Sequence, residues 1–188
     1  MRLILALAAL IALAGPAMAS EEPAYTLIAR EGDFEIRDYP ALILAEVQVE
    51  GDRRAATNAG FGPLANYVFG GNQPAERIAM TAPVTSEPSG EGRWRVAFIM
   101  PAQWSMETLP APNDASVSLR ETPARRVAVL RFSGLMGERR ASEKLAELEA
   151  VLVRRGLEPV SGPTFAAYDP PWIPGPFRRN EIWIEIAA

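Results

Sequence analysis

The chain has 188 residues, a formal net charge of −4, no cysteine and no histidine. The acidic balance argues against nucleic acid or an anionic membrane surface as a partner, because both attract clustered lysine and arginine. Without cysteine and histidine, the chain cannot form a disulfide, a thiolate or imidazole metal site, or a Ser-His-Asp triad.

The first 19 residues have the layout of a cleavable secretory signal peptide. Arg2 gives a positive start, residues 3–14 are an unbroken apolar run, and Ala17-Met18-Ala19 supplies the small residues that a signal peptidase reads. The run is shorter than the roughly 20 apolar residues that span a bilayer. We therefore expect residues 20–188 to form one periplasmic or secreted domain with no membrane span after cleavage. The alternatives for the first segment are a membrane anchor or a buried helix.

Alternating apolar and polar residues predict a protein rich in β-strands. The predicted strands cover residues 25–30, 34–37, 42–50, 77–85, 94–100, 116–121, 126–132, 164–168 and 181–186. In the second of these, Phe34 and Ile36 are expected to point inward, and Glu35 and Arg37 outward. Residues 86–92 are predicted as a hairpin loop, and residues 101–114 and 169–176 as proline-rich connections.

Two helices are predicted between the strands. The first begins after Asp52, a favourable N-cap residue, but carries Gly60, Gly62 and Pro63 in its middle. Because proline removes a helical hydrogen bond, we expect a kink there and a second helical piece over residues 63–69. The second helix is predicted over residues 137–155, where leucine and valine recur at helical spacing, and it ends before a glycine.

The order strand-helix-strand-strand occurs twice along the chain. The first copy runs from residue 42 to residue 100, and the second from residue 126 to residue 186. Each helix has an apolar face that can pack on a sheet. We therefore predict an α+β domain built from two pseudo-repeated β-α-β-β halves.

Several blocks of sequence occur in the order that is typical of one protein family. They are residues 67–72 (YVFGGN), 78–84 (IAMTAPV), 98–101 (FIMP), 107–110 (ETLP), 127–134 (VAVLRFSG), 168–172 (YDPPW) and 178–181 (RRNE). Together they resemble the SOUL haem-binding protein family over nearly the whole of residues 25–186. The resemblance implies a distorted antiparallel-rich β-barrel flanked by two helices. It also implies reversible, non-covalent binding of haem or another porphyrin in an apolar groove.

The resemblance also implies where the groove lies. Matching the family's first helix places one wall of the groove at Asn58, Phe61, Leu64 and Ala65. The small residues around Phe61 would let a flat ring approach the backbone, and a porphyrin face needs apolar walls more than hydrogen bonds. Alternatively, Phe61 and Leu64 pack on the sheet and the glycines only permit the kink.

No histidine is available as an iron ligand, so the candidates are Tyr67, Met80 or a nearby methionine. Met80 lies in an apolar run and is also a candidate core residue, in which case haem binds without a protein ligand. Arg178 and Arg179 are candidate partners of the haem propionates, with Arg53 and Arg54 as weaker candidates. The alternative for Arg178 and Arg179 is an ordinary ion pair or an exposed surface position.

No pair of carboxylates has an evident reason to be buried, so the sequence favours a binding protein over an enzyme. The expected cofactor is haem or another porphyrin, and the expected partner is a small hydrophobic molecule rather than nucleic acid. Two other hypotheses remain open. Either the groove binds a different hydrophobic small molecule, or the protein is an enzyme that acts on such a ligand.

Overall fold

The structure is a computed structural model that describes residues 20–90 and 92–187, so the predicted signal peptide lies outside the described residues. The strands are β1 (Thr26–Glu31), β2 (Phe34–Tyr39), β3 (Leu42–Glu50), β4 (Asn72–Gln73), β5 (Val84–Pro88), β6 (Arg93–Ile99), β7 (Ala111–Pro112), β8 (Ser118–Thr122), β9 (Arg125–Ser133), β10 (Thr164–Ala167) and β11 (Arg179–Glu185). The helices are α1 (Arg53–Val68) and α2 (Glu138–Arg155). Within the described residues, no helix is long and apolar enough to cross a membrane.

Nine strands form one curled antiparallel sheet. Its order is β1-β2-β9-β11-β10-β5-β6-β3-β8, and β4 and β7 form a separate two-stranded sheet. The two helices pack on one side of the curled sheet, α1 on β3 and β6 and α2 on β9 and β11. The predicted α+β fold, a distorted antiparallel-rich barrel flanked by two helices, is therefore confirmed.

The two halves of the pseudo-repeat are visible in the strand order. The first half forms the run β5-β6-β3, the second forms β10-β11-β9, and the two meet where β5 pairs with β10. The strand that precedes each half lies in the other half. Strand β2 leads into β3 but pairs with β9, and β8 leads into β9 but pairs with β3. The halves are thus interlocked through their leading strands.

The sheet has a helix face, which α1 and α2 cover, and an opposite inner face. Because side chains alternate along a strand, Val96 and Phe98 of β6 pack under α1 whereas Ala97 and Ile99 lie on the inner face. The same alternation in β11 puts Ile182 on the helix face. Each face of the sheet therefore carries its own apolar core.

The predicted strand over residues 77–85 is wrong in position. Residues 77–83 are not part of a strand, and β5 begins at Val84 and continues through residues that were predicted as loop. Pro83 has no N–H to donate to a strand ladder, which accounts for the late start. The preceding segment is instead fixed by single backbone hydrogen bonds, from Ile78 N to Val68 O and from Ala82 N to Glu21 O.

The separate helical piece predicted over residues 63–69 is wrong. Helix α1 is continuous from Arg53 to Val68, and Pro63 does not divide it. A proline removes only its own N–H from the helical hydrogen bonds, and burial of Leu64, Tyr67 and Val68 holds the following turn in place. The predicted cap is confirmed, because the Asp52 carboxylate accepts a hydrogen bond from Ala55 N at 2.8 Å.

Candidate ligand-binding site

The outward face of α1 has almost no charge. After Arg54, the helix contains no acidic or basic residue, and Asn58, Phe61 and Ala65 follow on the same side at helical spacing. Phe69, just beyond the helix, continues this stripe. Phe61 is 43% exposed and Phe69 is 56% exposed. The result is an apolar helix face that the rest of the described chain leaves open to solvent.

Gly60 explains how α1 lies so close to the sheet. A Cβ atom at this position would lie 2.9 Å from Cβ of Val96 and 3.0 Å from Cγ2 of Val47, so only glycine fits. A Cβ atom at Gly62, in contrast, would have no neighbour within 4 Å. Gly60 thus serves the contact with the sheet, and Gly62 is the glycine that leaves space on the outward face.

The predicted groove residues separate into two groups. Asn58 and Phe61 are exposed and Ala65 is half-buried on the outward side of α1. Phe61 also touches the sheet, because its ring packs edge-on against Phe98 with the ring centroids 5.3 Å apart. Leu64 is fully buried in the core between α1 and the sheet.

The structure places Tyr67 in the core as well. Its hydroxyl donates a hydrogen bond to the carbonyl oxygen of Pro110 at 3.0 Å, and the side chain is 1% exposed. Burial raises the pKa of this phenol to about 12. Met80 is half-buried and packs against the same core cluster. Among the described residues, no group of three or more histidine, cysteine, aspartate or glutamate side chains could hold a metal ion.

Arg178 and Arg179 are not beside these residues. Arg178 donates from Nε to the carbonyl of Ile173 at 2.7 Å and also bonds the carbonyl of Pro171, so it closes the proline-rich loop. Arg179 lies on β11, where its side chain shares the inner face with Glu181. Because α1 covers the opposite face, the structure does not bring the two arginines to the outward side of α1.

Near the start of α1, the two arginines have different surroundings. The Arg53 guanidinium is buried and donates to the carbonyl of Met136 at 2.7 Å, and it lies 2.9 Å from the Glu138 carboxylate. Arg54 is exposed and forms no ion pair with any described residue. Arg54 is therefore the cation that stands on the same stripe as Asn58 and Phe61.

A buried polar network, which the sequence pattern did not predict, occupies the inner face. Both oxygens of the Glu181 carboxylate accept hydrogen bonds from Arg37, at 2.9 and 3.0 Å. Arg179 Nη2 donates at 2.8 Å, Tyr168 OH at 2.8 Å and Trp183 Nε1 at 2.7 Å. With so many donors, this carboxylate has little remaining capacity to accept a proton from a ligand.

Glu35 extends the network, and its position corrects a prediction. Glu35 and Arg37 were expected on the solvent side of β2, but they are 1% and 0% exposed. Glu35 Oε2 accepts a hydrogen bond from Arg37 Nε at 2.7 Å. Burial disfavours the charged forms of Glu35 and Glu181, but the hydrogen bonds and charge of Arg37 outweigh it, and both pKa values lie below the ordinary 4.5.

Comparison with known proteins decides the family. The family model for the SOUL heme-binding protein matches residues 20–185. The chain belongs to the SOUL haem-binding family. It is 28% identical over 161 residues to human "Heme-binding protein 2", a match that covers 81% of this chain and 78% of the relative. The mouse protein of the same name is 28% identical over 166 residues, with the same coverage.

Solved structures support the fold at much lower sequence identity. The C-terminal domain of EcmrR matches with a TM-score of 0.60 and 14% identity, over 87% of this chain and 98% of that domain. An uncharacterised conserved protein from Listeria innocua matches with a TM-score of 0.64 and 12% identity, over 85% of this chain and 94% of that chain. At these identities the likeness concerns the fold alone.

Proposed function

We propose that this protein binds haem or a related tetrapyrrole, non-covalently and reversibly, on the outward face of α1, and that it works outside the cytoplasm. The observation that carries the proposal is the exposed, uncharged face of α1 in a chain of the SOUL haem-binding family. Two curated relatives carry the name "Heme-binding protein 2".

The outward face of α1 suits one side of a porphyrin. A porphyrin macrocycle is flat and apolar, so it gains most from apolar surface that it can cover. Phe61 and Phe69 supply exposed aromatic area. Between these two rings, the small residues Gly62 and Ala65 leave the backbone accessible to a flat ring.

In this proposal the chain supplies no axial ligand from Tyr67. That hydroxyl is already bonded to Pro110 and shielded by the core, so reaching iron would require unpacking α1. Haem is then held by contact area and by its propionates, for which a positive charge is needed. Arg54 is the suitable cation, because it is exposed and lies on the stripe of Phe61, whereas Arg178 and Arg179 have other partners.

A titration with hemin, followed by its absorption band, tests the site. We expect saturable hemin binding that Phe61→Asp weakens at least about tenfold, because the new carboxylate would be buried beneath the porphyrin ring. Val153→Asp is the matched control, because Val153 is an 80% exposed apolar residue on α2, and it should leave the affinity unchanged. Absence of saturable binding, or equal loss in both variants, would refute the proposed site.

A second titration tests the propionate partner. Arg54→Gln should weaken hemin binding, and the loss should shrink at high salt because exposed charges are screened. Arg178→Gln should not change the affinity for hemin. If Arg178→Gln weakened hemin binding and Arg54→Gln did not, the propionates would bind at the loop of residues 169–178 instead.

The location outside the cytoplasm has its own test. Expression of the full chain in a Gram-negative host, followed by fractionation and mass measurement, should recover a periplasmic protein that begins at Ser20. A protein that keeps residues 1–19 and stays in the cytoplasm would contradict this part of the proposal without affecting the haem site.

A different hydrophobic ligand on the same face is the second candidate. It is favoured by the lack of histidine and by the buried position of Tyr67, because a site without an iron ligand does not require iron. Mass spectrometry of the protein purified under native conditions separates the two candidates. A co-purified tetrapyrrole supports the first candidate, and a co-purified lipid or other apolar metabolite supports the second.

A further inference from the structure

A cavity lies away from the outward face of α1, at the end of the sheet where β3 begins and β6 ends. It has a volume of about 300 Å³. One wall is the segment at residues 21–24, which the chain holds in place through hydrogen bonds from Ala102 N to the Glu21 carboxylate and from Ala82 N to Glu21 O. The cavity is therefore built from elements that are fixed to one another.

Much of the cavity lining is apolar. Its side chains include Leu42, Ile43, Met100, Trp104 and Met106. Trp104 offers an aromatic surface, and the two methionines offer polarisable ones that adapt to ligand shape. A lining of this kind favours a ligand with an apolar body.

The charges around the cavity all have one sign. Glu21, Glu22, Glu107 and Glu121 line it, and no lysine or arginine among the described residues does. Arg179 compensates Glu22, with its Nη1 at 2.9 and 3.0 Å from the two carboxylate oxygens. Glu107 and Glu121 form no ion pair with any described residue. Hydrogen bonds from Ser105 and from its own backbone lower the pKa of Glu107, so it is ionised at neutral pH.

We propose that this cavity binds a compact organic cation, a quaternary ammonium or protonated amine with an apolar body. Uncompensated carboxylates attract such a cation, and the face of Trp104 can add a cation–π contact. The same carboxylates repel the propionates of haem. The cavity is thus a site separate from the outward face of α1, with the opposite charge preference.

Three probes of similar size and different charge test this assignment. They are benzyltrimethylammonium, the neutral N,N-dimethylbenzamide and the anionic 3-phenylpropionate, titrated into the purified protein at low salt by ligand-observed NMR. We expect the cation to bind about tenfold more tightly than the amide, and the anion not to bind. Saturating hemin should leave the affinity for the cation unchanged.

Variants then locate the binding. Glu121→Gln should weaken cation binding about three- to tenfold and leave the amide unaffected, because only a charge is removed. Glu149→Gln, at an exposed position on α2, removes the same charge elsewhere and should change nothing. Both variants alter exposed side chains, so folding is not at risk.

Three results would overturn the inference. One is equal affinity for the cation and the amide, which would make the cavity simply apolar. Another is cation binding that Glu121→Gln and Glu149→Gln reduce alike, which would make the attraction a property of the net charge. The third is an absence of cation binding at ligand concentrations up to about 10 mM, because a specific small-molecule site binds its ligand more tightly than that.

Discussion

Arg37 and Glu181 are 144 residues apart in sequence, yet their side chains form a two-pronged ion pair at 2.9 and 3.0 Å with no exposure to solvent. The pair joins β2 to β11, although these strands are separated in the sheet by β9. It therefore fixes three neighbouring strands of the inner face relative to one another.

The first prediction concerns the charge of Glu181. Glu181→Gln should lower the free energy of unfolding by about 3 kcal/mol, because it leaves the buried Arg37 without its main counter-charge. Chemical denaturation followed by circular dichroism measures the change. Asp38→Asn is the control, since Asp38 pairs with Arg126 at the surface and should matter little. Equal losses of unfolding free energy in the two variants would mean that the buried ion pair contributes no more to stability than the surface ion pair.

The second prediction concerns pH. The pKa values of Glu35 and Glu181 are lower in the folded protein than the ordinary 4.5, so the unfolded chain takes up protons first as the pH falls. The stability that these groups contribute is fully present above about pH 5 and is lost as the pH falls through 4.5 toward the folded values. Thermal unfolding between pH 7 and pH 3 should show this decline, and a shallower one in Glu181→Gln. An equally steep decline in the variant would assign the acid sensitivity to other carboxylates.

The third prediction uses two glycines of α1. Gly60→Ala should destabilise the protein by about 1–3 kcal/mol, since the added Cβ atom collides with Val96 and the helix must move. Gly62→Ala should change stability by less than about 0.5 kcal/mol, because its gain in helix propensity opposes the restriction on a residue before proline. Denaturant midpoints of both variants provide the comparison. The reverse order would show that α1 does not contact the sheet through Gly60.

The fourth prediction separates Tyr67 from the haem iron. Tyr67→Phe removes the hydrogen bond to the Pro110 carbonyl and should cost about 1 kcal/mol of stability. The absorption band of bound hemin should be the same as in the parent protein, because the hydroxyl does not reach the iron. A shifted band would identify Tyr67 as a ligand and would require α1 to open on binding.

Local sequence signals predicted α2 well and α1 only in part. Leucine and valine at helical spacing and the glycine after Arg155 placed α2 within a residue of its observed bounds, and Gly156 takes the left-handed conformation expected there, with φ of 62°. In α1, both sides of the helix are apolar or uncharged beyond Arg54. The sequence therefore could not distinguish the side that packs on the sheet, with Leu64, from the open side, with Phe61.

The same difficulty explains the inner face. Alternation along β2 shows that Phe34 and Glu35 point to different sides, but it does not show which side meets solvent. In this curled sheet, both sides of β2 are shielded from solvent. The burial of Glu35 depends on its ion pair with Arg37, which is in turn paired with Glu181. Glu181 is far from both in sequence, and only the folded chain brings it beside Arg37. Phe69 was also missed as a site residue, although its spacing of eight residues from Phe61 could have indicated it.

The exchanged leading strands have a consequence for how such a chain could arise. In this chain, β2 pairs with β9 of the second half and β8 pairs with β3 of the first half. A chain of half this length would have no other half to supply such a strand. It could complete the same pairing only with a second copy of itself, each copy lending its first strand to the other. The present chain is thus the covalent equivalent of a two-fold, strand-swapped dimer.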